Sequence, residues 1–391
     1  MIPELSSTGL PEKSLLREPV RTIPGDAPGA PLSGTALCLS GGGYRAMLFH
    51  VGSIWRLFDS GMLAKLDRVS SVSGGSIAAG ALALAWAKLM AARPSDREVF
   101  EREFVAPIRG LARRTVDCRA VLLGLGVPGW AGRRVAGAYR RHLFGSATLQ
   151  DLPDAPRFVF NATNMQSGVL WRFSKPYMAD YRVGMIRHPK TPLATAVAAS
   201  SAFPPVLSPL ILRLEPRAVE AGKGADLHRE PYTSRVVLSD GGVYDNLGLE
   251  TAWKRHRTML ISDAGGAFSA NPRPGGNAIS HTMRVLLTID NQVRSLRKRQ
   301  LIDGIRERRE HDGAYWSIGA EIRDYPARGV LTCDAARTRE LAAWPTRLKR
   351  VPDVVQERLI NWGYAICDAA IRGYVDSSIS APSGFPYSRG V

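Results

Sequence analysis

The sequence predicts an α/β fold: a mostly parallel central sheet with helices on both faces, followed by a helical C-terminal part. Three observations predict it. Short apolar runs alternate with stretches of helical spacing between Thr35 and Ser262. Several of those runs stop at glycine- or serine-rich turns, where α/β sheets place their sites. Beyond residue 270 the texture turns helical and basic.

The elements follow in chain order. Residues 1–33 are Pro- and Gly-punctuated, as in Pro24-Gly25-Asp26-Ala27-Pro28-Gly29, and read as an extension before the domain. Thr35 to Leu39 is a buried-strand run. Met47 to Ser60 has helical spacing, with Gly61 just beyond as a C-terminal cap. Arg68 to Val72 is a second strand, and Ser76 to Met90 a helix apolar on all sides. That helix is short for a membrane span and closes with Lys88, so it reads as a core helix. Arg157–Asn161, Val169–Phe173, Arg235–Leu238 and Thr258–Ser262 are further strands. Ile279–Arg309 and Val351–Val375 read as long helices. A catalytic core over residues 34–270 and a mainly helical part over 271–391 packed on it is the expected organisation.

Composition limits the function. Hydrophobic residues make up 45% and charged residues 22% of the chain, which excludes a disordered chain. No apolar run reaches the length of a membrane span. The net charge is +17, carried by 43 Arg against nine Lys, so attraction to anions is expected: phospholipid headgroups, nucleotides or nucleic acid. Cys38, Cys118, Cys333 and Cys367 are scattered singly, which fits a reducing compartment and excludes a CxxC zinc site. The first 33 residues hold no apolar signal-peptide core, so a cytoplasmic location is expected.

Three turns carry chemistry. Ser71-Val72-Ser73-Gly74-Gly75 joins a strand to a helix. Such a bend strains its central residue and lifts the hydroxyl clear of the sheet, and the helix N-terminus favours developing negative charge. The pattern is GxSxG with Ser71 in the first glycine position; a plain packing turn is the other reading. Ser40-Gly41-Gly42-Gly43-Tyr44-Arg45 lacks the Lys-Ser/Thr of a P-loop and the spacing of GxGxxG. Its consecutive glycines can turn backbone N–H groups one way, as an oxyanion hole requires, or simply make a tight turn. Ser239-Asp240-Gly241-Gly242 ends another strand, and a carboxylate there can take a serine proton; Asp-Gly-Gly is also a common turn.

In this order the three turns resemble the patatin-like phospholipases, serine lipid acyl hydrolases. Ala199-Ser200-Ser201-Ala202-Phe203-Pro204-Pro205 resembles that family's AS-x-A-x-PP loop, and Asp245-Asn246-Leu247-Gly248 its continuation after the aspartate turn. Arg294 to Gln300 and Asn361-Trp362-Gly363-Tyr364 resemble bacterial members. The resemblance implies a Ser–Asp dyad without histidine: Ser73 as nucleophile, Asp240 as its base, and the amides of Gly41, Gly42 and Gly43 as the oxyanion hole. It places Arg45 as an anion contact. It implies acyl transfer through an acyl-enzyme, with no metal and no cofactor. His256, His281 and His311 follow Asp240 in the chain, but none lies on a glycine-bearing strand-end loop.

The partner implied is a phospholipid membrane surface, met peripherally at the inner membrane by the Arg clusters 113–114, 133–134, 140–141, 294–299 and 306–309. Some bacterial proteins of this kind act in antiphage defence under a cyclic-dinucleotide activator, which an Arg-rich pocket would suit. A homo-oligomer is compatible with the sequence. Two other readings stand beside phospholipid hydrolysis: a basic nucleic-acid-binding protein on a degenerate hydrolase fold, and a serine esterase on soluble substrates. No helix-turn-helix, zinc-finger or RNP signature supports a nucleic-acid polymer as partner.

Overall fold

The computed structural model describes residues 32–93, 96–116, 129–222, 224–266, 268, 270–307 and 311–391. The expected extension up to residue 31, Cys118, Arg308 and Arg309 lie outside them.

The strands are β1 (Leu32–Leu39), β2 (Leu66–Val72), β3 (Arg157–Asn164), β4 (Val169–Phe173), β5 (Tyr177–Asp180), β6 (Gly184–Arg187), β7 (Leu210–Arg213), β8 (Arg235–Asp240), β9 (His256–Asp263) and β10 (Asp312–Ser317). They form one sheet in the order β10-β9-β1-β2-β3-β4-β5-β6, with β8 joined to β3 and β7 to β8. From β10 to β3 every pairing is parallel, and from β3 outward it is antiparallel. The buried strands β1 and β2 are near-continuous apolar or small-residue runs, as a sheet covered on both faces requires.

Helices α1 (Gly43–Asp59), α2 (Gly74–Ala91), α3 (Leu193–Ser200), α4 (Ala278–Arg306) and α5 (Asp353–Tyr374) account for the longer helical stretches that bear on the site. The main core gathers α1, α2, α3 and α5 against the sheet, around Trp55, Trp171, Trp316 and Trp362. A second cluster covers the other face: Ala36, Cys38, Met259 and Ile261 of the sheet lie under Leu247, Leu249, Ala252 and Leu301. Helix α2 is long and apolar enough to cross a membrane, but 72% of it is buried inside the protein, as expected of a core helix.

Helices α1 and α5 cross backbone to backbone. A Cβ on Gly52 would overlap the Ile360 carbonyl oxygen, and one on Gly363 the Phe49 carbonyl oxygen. Only glycine permits so close an approach. The stretch after residue 270 is not wholly helical: β10 pairs in parallel with β9 and extends the sheet. Its Asp-Gly start breaks the alternation that signals a strand, and Gly313 at φ 129 lies flat against the Met259 backbone.

One register places the site. The edge of β3 carries β2 as far as Asn161, opposite Val72. From Ala162 onward it carries β8, which arrives antiparallel and ends with Asp240 opposite Ala162. The C-terminal ends of β2 and β8 therefore abut, and the residues there, Ser73 and Asp240, are brought side by side.

Candidate active site

Ser73 occupies the bend between β2 and α2 at φ 52, ψ −120. Among the described residues only His188 shares a positive φ without being glycine. Such a conformation costs about 1–3 kcal/mol and persists only where its surroundings fix it. Gly74 and Gly75 do part of that fixing: a Cβ on either would overlap the carbonyl oxygens of Gly43 or Leu39. The Gly75 amide donates to the Ser40 carbonyl at 3.1 Å.

Hydroxyls do the rest. The Ser73 amide donates to Ser200 Oγ at 3.0 Å, and that hydroxyl donates to the Asn161 carbonyl at 2.7 Å. Ser71, standing where GxSxG has glycine, donates to the Val159 carbonyl at 3.2 Å. Ser76 Oγ lies 2.9 Å from Ser71 Oγ and 2.8 Å from Ser200 Oγ. Both neighbours have spent their proton on a carbonyl, so Ser76 is the donor to one of them. The departure from glycine at position 71 is thus absorbed into a buried serine network beneath the bend.

Asp240 is 2% exposed. Its amide donates to the Ala202 carbonyl at 2.9 Å, and the Gly241 amide to the Ser200 carbonyl at 3.1 Å, so the 199–205 segment clasps the turn. Oδ1 accepts the Gly242 amide at 2.7 Å, while Oδ2 has no partner. Burial pushes the carboxyl up to about 7; the Gly242 amide and the Ser73 hydroxyl pull against this, and the Asp290 carboxylate on α4 adds to it. The hydroxyl is near enough to act on the carboxyl, yet no fully formed hydrogen bond joins them. Loose contacts of this kind tighten when substrate arrives.

The glycine loop lies against Ser73: a Cβ on Gly41 would come within 3.1 Å of Ser73 Cβ. Gly42 and Gly43 adopt φ 144 and 61. The expectation for this loop needs one correction. The Gly41 amide donates to the Asn246 carbonyl at 3.1 Å and is not free for an oxyanion. Among the described residues the amides of Gly42 and Gly43 have no acceptor, which leaves two donors rather than three.

Arg45 is corrected as well. It is 3% exposed and donates to the backbone carbonyls of Ala264, Ala342 and Trp344. Burial pulls its guanidinium down to about 10. Its donors tie α1 to distant loops instead of facing an anion. The 294–299 cluster also turns largely inward: Arg294 reaches Asp263 at 3.6 Å, Arg297 reaches Asp245 at 3.4 Å, and Lys298 lies over the Tyr315 ring.

His50, His256 and His311 stay out of the site. His256 begins β9, and His311 Nδ1 lies 3.1 Å from its carbonyl oxygen. At about 3.3 Å per residue, an eight-residue strand keeps that end more than 20 Å from the strand end where Asp263 sits. His50 is buried between Ser262 Oγ and the Ser40 carbonyl, and burial lowers its pKa to about 4. No metal-binding cluster of His, Cys, Asp or Glu occurs among the described residues. Ser200, Asn161, Asn246 and Asp290 are the residues whose part in the site was not read from sequence; the quoted Ala199-Ser200-Ser201 and Asp245-Asn246 motifs were the available signal for two of them.

With this geometry in hand, the comparisons decide the family. The family model of patatin-like phospholipases matches residues 37–253, more than half of the chain, from within β1 to beyond the helix turn after Asp240. The chain belongs to the patatin-like phospholipase family. Solved structures to which the chain is similar include human GIVD cytosolic phospholipase A2, at 13% identity and TM-score 0.45, covering 85% of this chain and 60% of that one. The same human enzyme with methyl γ-linolenyl fluorophosphonate gives 16% identity and TM-score 0.48, covering 86% and 57%. VipD from Legionella pneumophila gives 14% identity and TM-score 0.39, covering 86% and 66%. This patatin-like chain thus spans less than two thirds of the length of each of these relatives. No curated protein matches its sequence. Family membership supports lipid hydrolysis as the class of activity.

Proposed function

We propose that the protein is a serine acyl hydrolase that cleaves ester bonds of membrane phospholipids through Ser73 and Asp240. The observation that carries this reading is the pairing of a strained, positive-φ serine with a buried carboxyl whose Oδ2 has no partner. A carboxyl held near neutral pH is matched to taking and returning a proton at pH 7.

In the first step the Ser73 Oγ–H proton passes to Asp240 Oδ2 while Oγ bonds to the ester carbonyl carbon. The carbonyl oxygen, now negative, is met by the Gly42 and Gly43 amides at the start of α1. Each such donor is worth roughly 10²–10³ in rate. As the C–O bond breaks, Asp240 returns the proton to the leaving alcohol. Water then repeats the sequence on the acyl-enzyme: Asp240 takes its proton, and the fatty acid leaves as Ser73 Oγ is reprotonated. The low-dielectric surroundings of both residues strengthen each of these interactions.

The reading places the enzyme in the cytoplasm, working peripherally on the inner membrane. A cyclic-dinucleotide activator would need a pocket large enough to hold it. The cavity between α4 and the ends of β9 and β10, whose lining includes Leu247, Asp263, Arg294, Lys298 and Ile318, holds about 230 Å³. Ligand pockets for larger molecules run from about 300 Å³ upward.

The test is fatty-acid release from mixed phospholipid vesicles, read by mass spectrometry, with labelling by a fluorophosphonate. Wild type is expected to release fatty acid and take one label on Ser73; Ser73→Ala is expected to do neither. Release by Ser73→Ala at the wild-type rate would overturn the assignment.

A further inference from the structure

The middle of helix α4 turns an apolar face to solvent. Val285, Ile289, Val293 and Leu296, with Leu286, follow the i, i+4, i+8, i+11 spacing of one helix face. That face should lie on the core. Here these residues are between 41% and 55% exposed. The inward face mixes charged and apolar contacts: Arg294 lies on Asp263 and the Gly266 carbonyl, Arg297 on Asp245 and Glu250, and Leu301 packs into the second core cluster. Leu287, off the stripe, is itself 40% exposed, so the first turns stand clear of the body.

The helix also lies at the mouth of the site. Asp290, on its inner side, is close enough to Asp240 to raise that carboxyl's pKa, and Arg297 stacks near Tyr244 in the turn after it. Around the same mouth further large apolar side chains face solvent: Phe203 in the segment that clasps Asp240, Val243 three residues after it, and Phe268 beneath Arg284 of α4. Apolar side chains thus gather on the surface around the opening to Ser73, which is itself only 7% exposed.

We infer that the outer face of α4 is the surface by which the protein docks on an anionic phospholipid bilayer, with the rim at Phe203, Val243 and Phe268 continuing it to the site. This deepens the phospholipid reading and rests on it. Charge argues for this occupant. Of the exposed charged residues on the helix after residue 290, Arg299 and Arg306 are basic and Asp303 acidic, and half-exposed Arg284 lies over Phe268 of the rim. Within the stripe itself, residues 285–296, the one carboxylate, Asp290, is half-buried on the inner side. An apolar stripe bordered by Arg, on a chain of net charge +17, matches a negatively charged headgroup layer over hydrocarbon. The position supplies a reason for the face: a lipid leaving the bilayer would meet apolar side chains from the surface inward.

The experiment uses the full chain and vesicles of phosphatidylglycerol or phosphatidylcholine, with co-sedimentation as readout. Wild type is expected to partition onto phosphatidylglycerol at least tenfold more strongly than onto phosphatidylcholine. Leu286→Asp with Ile289→Asp is expected to lose at least tenfold of that binding, while hydrolysis of a soluble short-chain ester stays at the wild-type rate and light scattering shows an unchanged mass. Ile289→Gln alone provides a milder variant should the double one precipitate. Unchanged vesicle binding in these variants would overturn the inference, and so would a wild-type dimer that they split, since a second copy would then be what covers the stripe. Absence of soluble-ester hydrolysis in wild type would instead strike the catalytic reading, leaving the vesicle result to stand or fall by itself.

Discussion

Replacing Asp240 with Asn tests the reasoning about the site through stability as well as activity. In the folded protein the carboxyl is pushed from 3.8 to about 7, chiefly by burial. The folded state therefore binds this proton more tightly than the unfolded chain. The resulting stability is fully present below the unfolded value and is lost as pH rises toward about 7. Above that, the folded enzyme carries a buried anion. A shift of roughly three units at about 1.4 kcal/mol each sets a ceiling of about 4 kcal/mol on that cost. Asp240→Asn keeps an oxygen to accept the Gly242 amide and removes the charge. Relative to wild type, its stability is expected to rise by about 2–3 kcal/mol between pH 5 and pH 8, because at pH 5 only part of the cost has been incurred. Guanidinium unfolding midpoints at the two pH values measure this, and ester hydrolysis by the same samples should fall by at least about 10³-fold. A stability difference that is flat with pH, or a variant that keeps its activity, would show that Asp240 is neither the costly buried charge nor the base described above.

Two further outcomes follow from the same geometry. In wild type kcat/KM should rise about tenfold per pH unit below about 7 and level off above it, since the base must be unprotonated; Asp290→Asn, by removing a carboxylate that raises Asp240, should move that limb toward lower pH, and an unmoved limb would disprove the coupling. Ser200→Ala leaves the buried Ser73 amide and Asn161 carbonyl without their bridge, a loss of about 1–3 kcal/mol. It should slow fluorophosphonate labelling of Ser73 and kcat by about ten- to a hundredfold with little change in KM, whereas equal loss in a denaturant-matched control such as a remote core variant would reduce Ser200 to a merely structural residue.

The sheet from β1 to β3 could be read from the chain because buried parallel strands are runs of apolar and small residues; Thr35–Leu39 and Arg68–Val72 are such runs ending at glycine-bearing turns, and Arg157–Asn161 is one without a glycine at its end. Val169–Phe173 has the bounds expected of it. The turns at Ser73 and Asp240 were legible because the residues that shape them are local glycines. What could not be read depends on distant chain. Nothing near Gly41 reveals that its amide is taken by the Asn246 carbonyl. Arg45 looks like a free cation until the loops at 264 and 342–344 bring their carbonyls to it. The basic run at 294–299 reads as an outward patch because Asp245, Glu250 and Asp263, which receive it, lie on other elements. The short strands β5 to β7 and β10 carry too few residues for a period to show.

The crossing of α1 and α5 has a consequence for how the site comes into being. Helix α1 begins at Gly43, and the Arg347 carbonyl accepts the Tyr44 amide at 3.0 Å there while its backbone presses on Gly43. Farther along, α5 is locked into α1 with no side chain between them. The glycine loop therefore takes its shape from chain made roughly a hundred residues after the aspartate. A nascent polypeptide that already carries both Ser73 and Asp240 still lacks the clamp that aims the amides until translation has passed Tyr374.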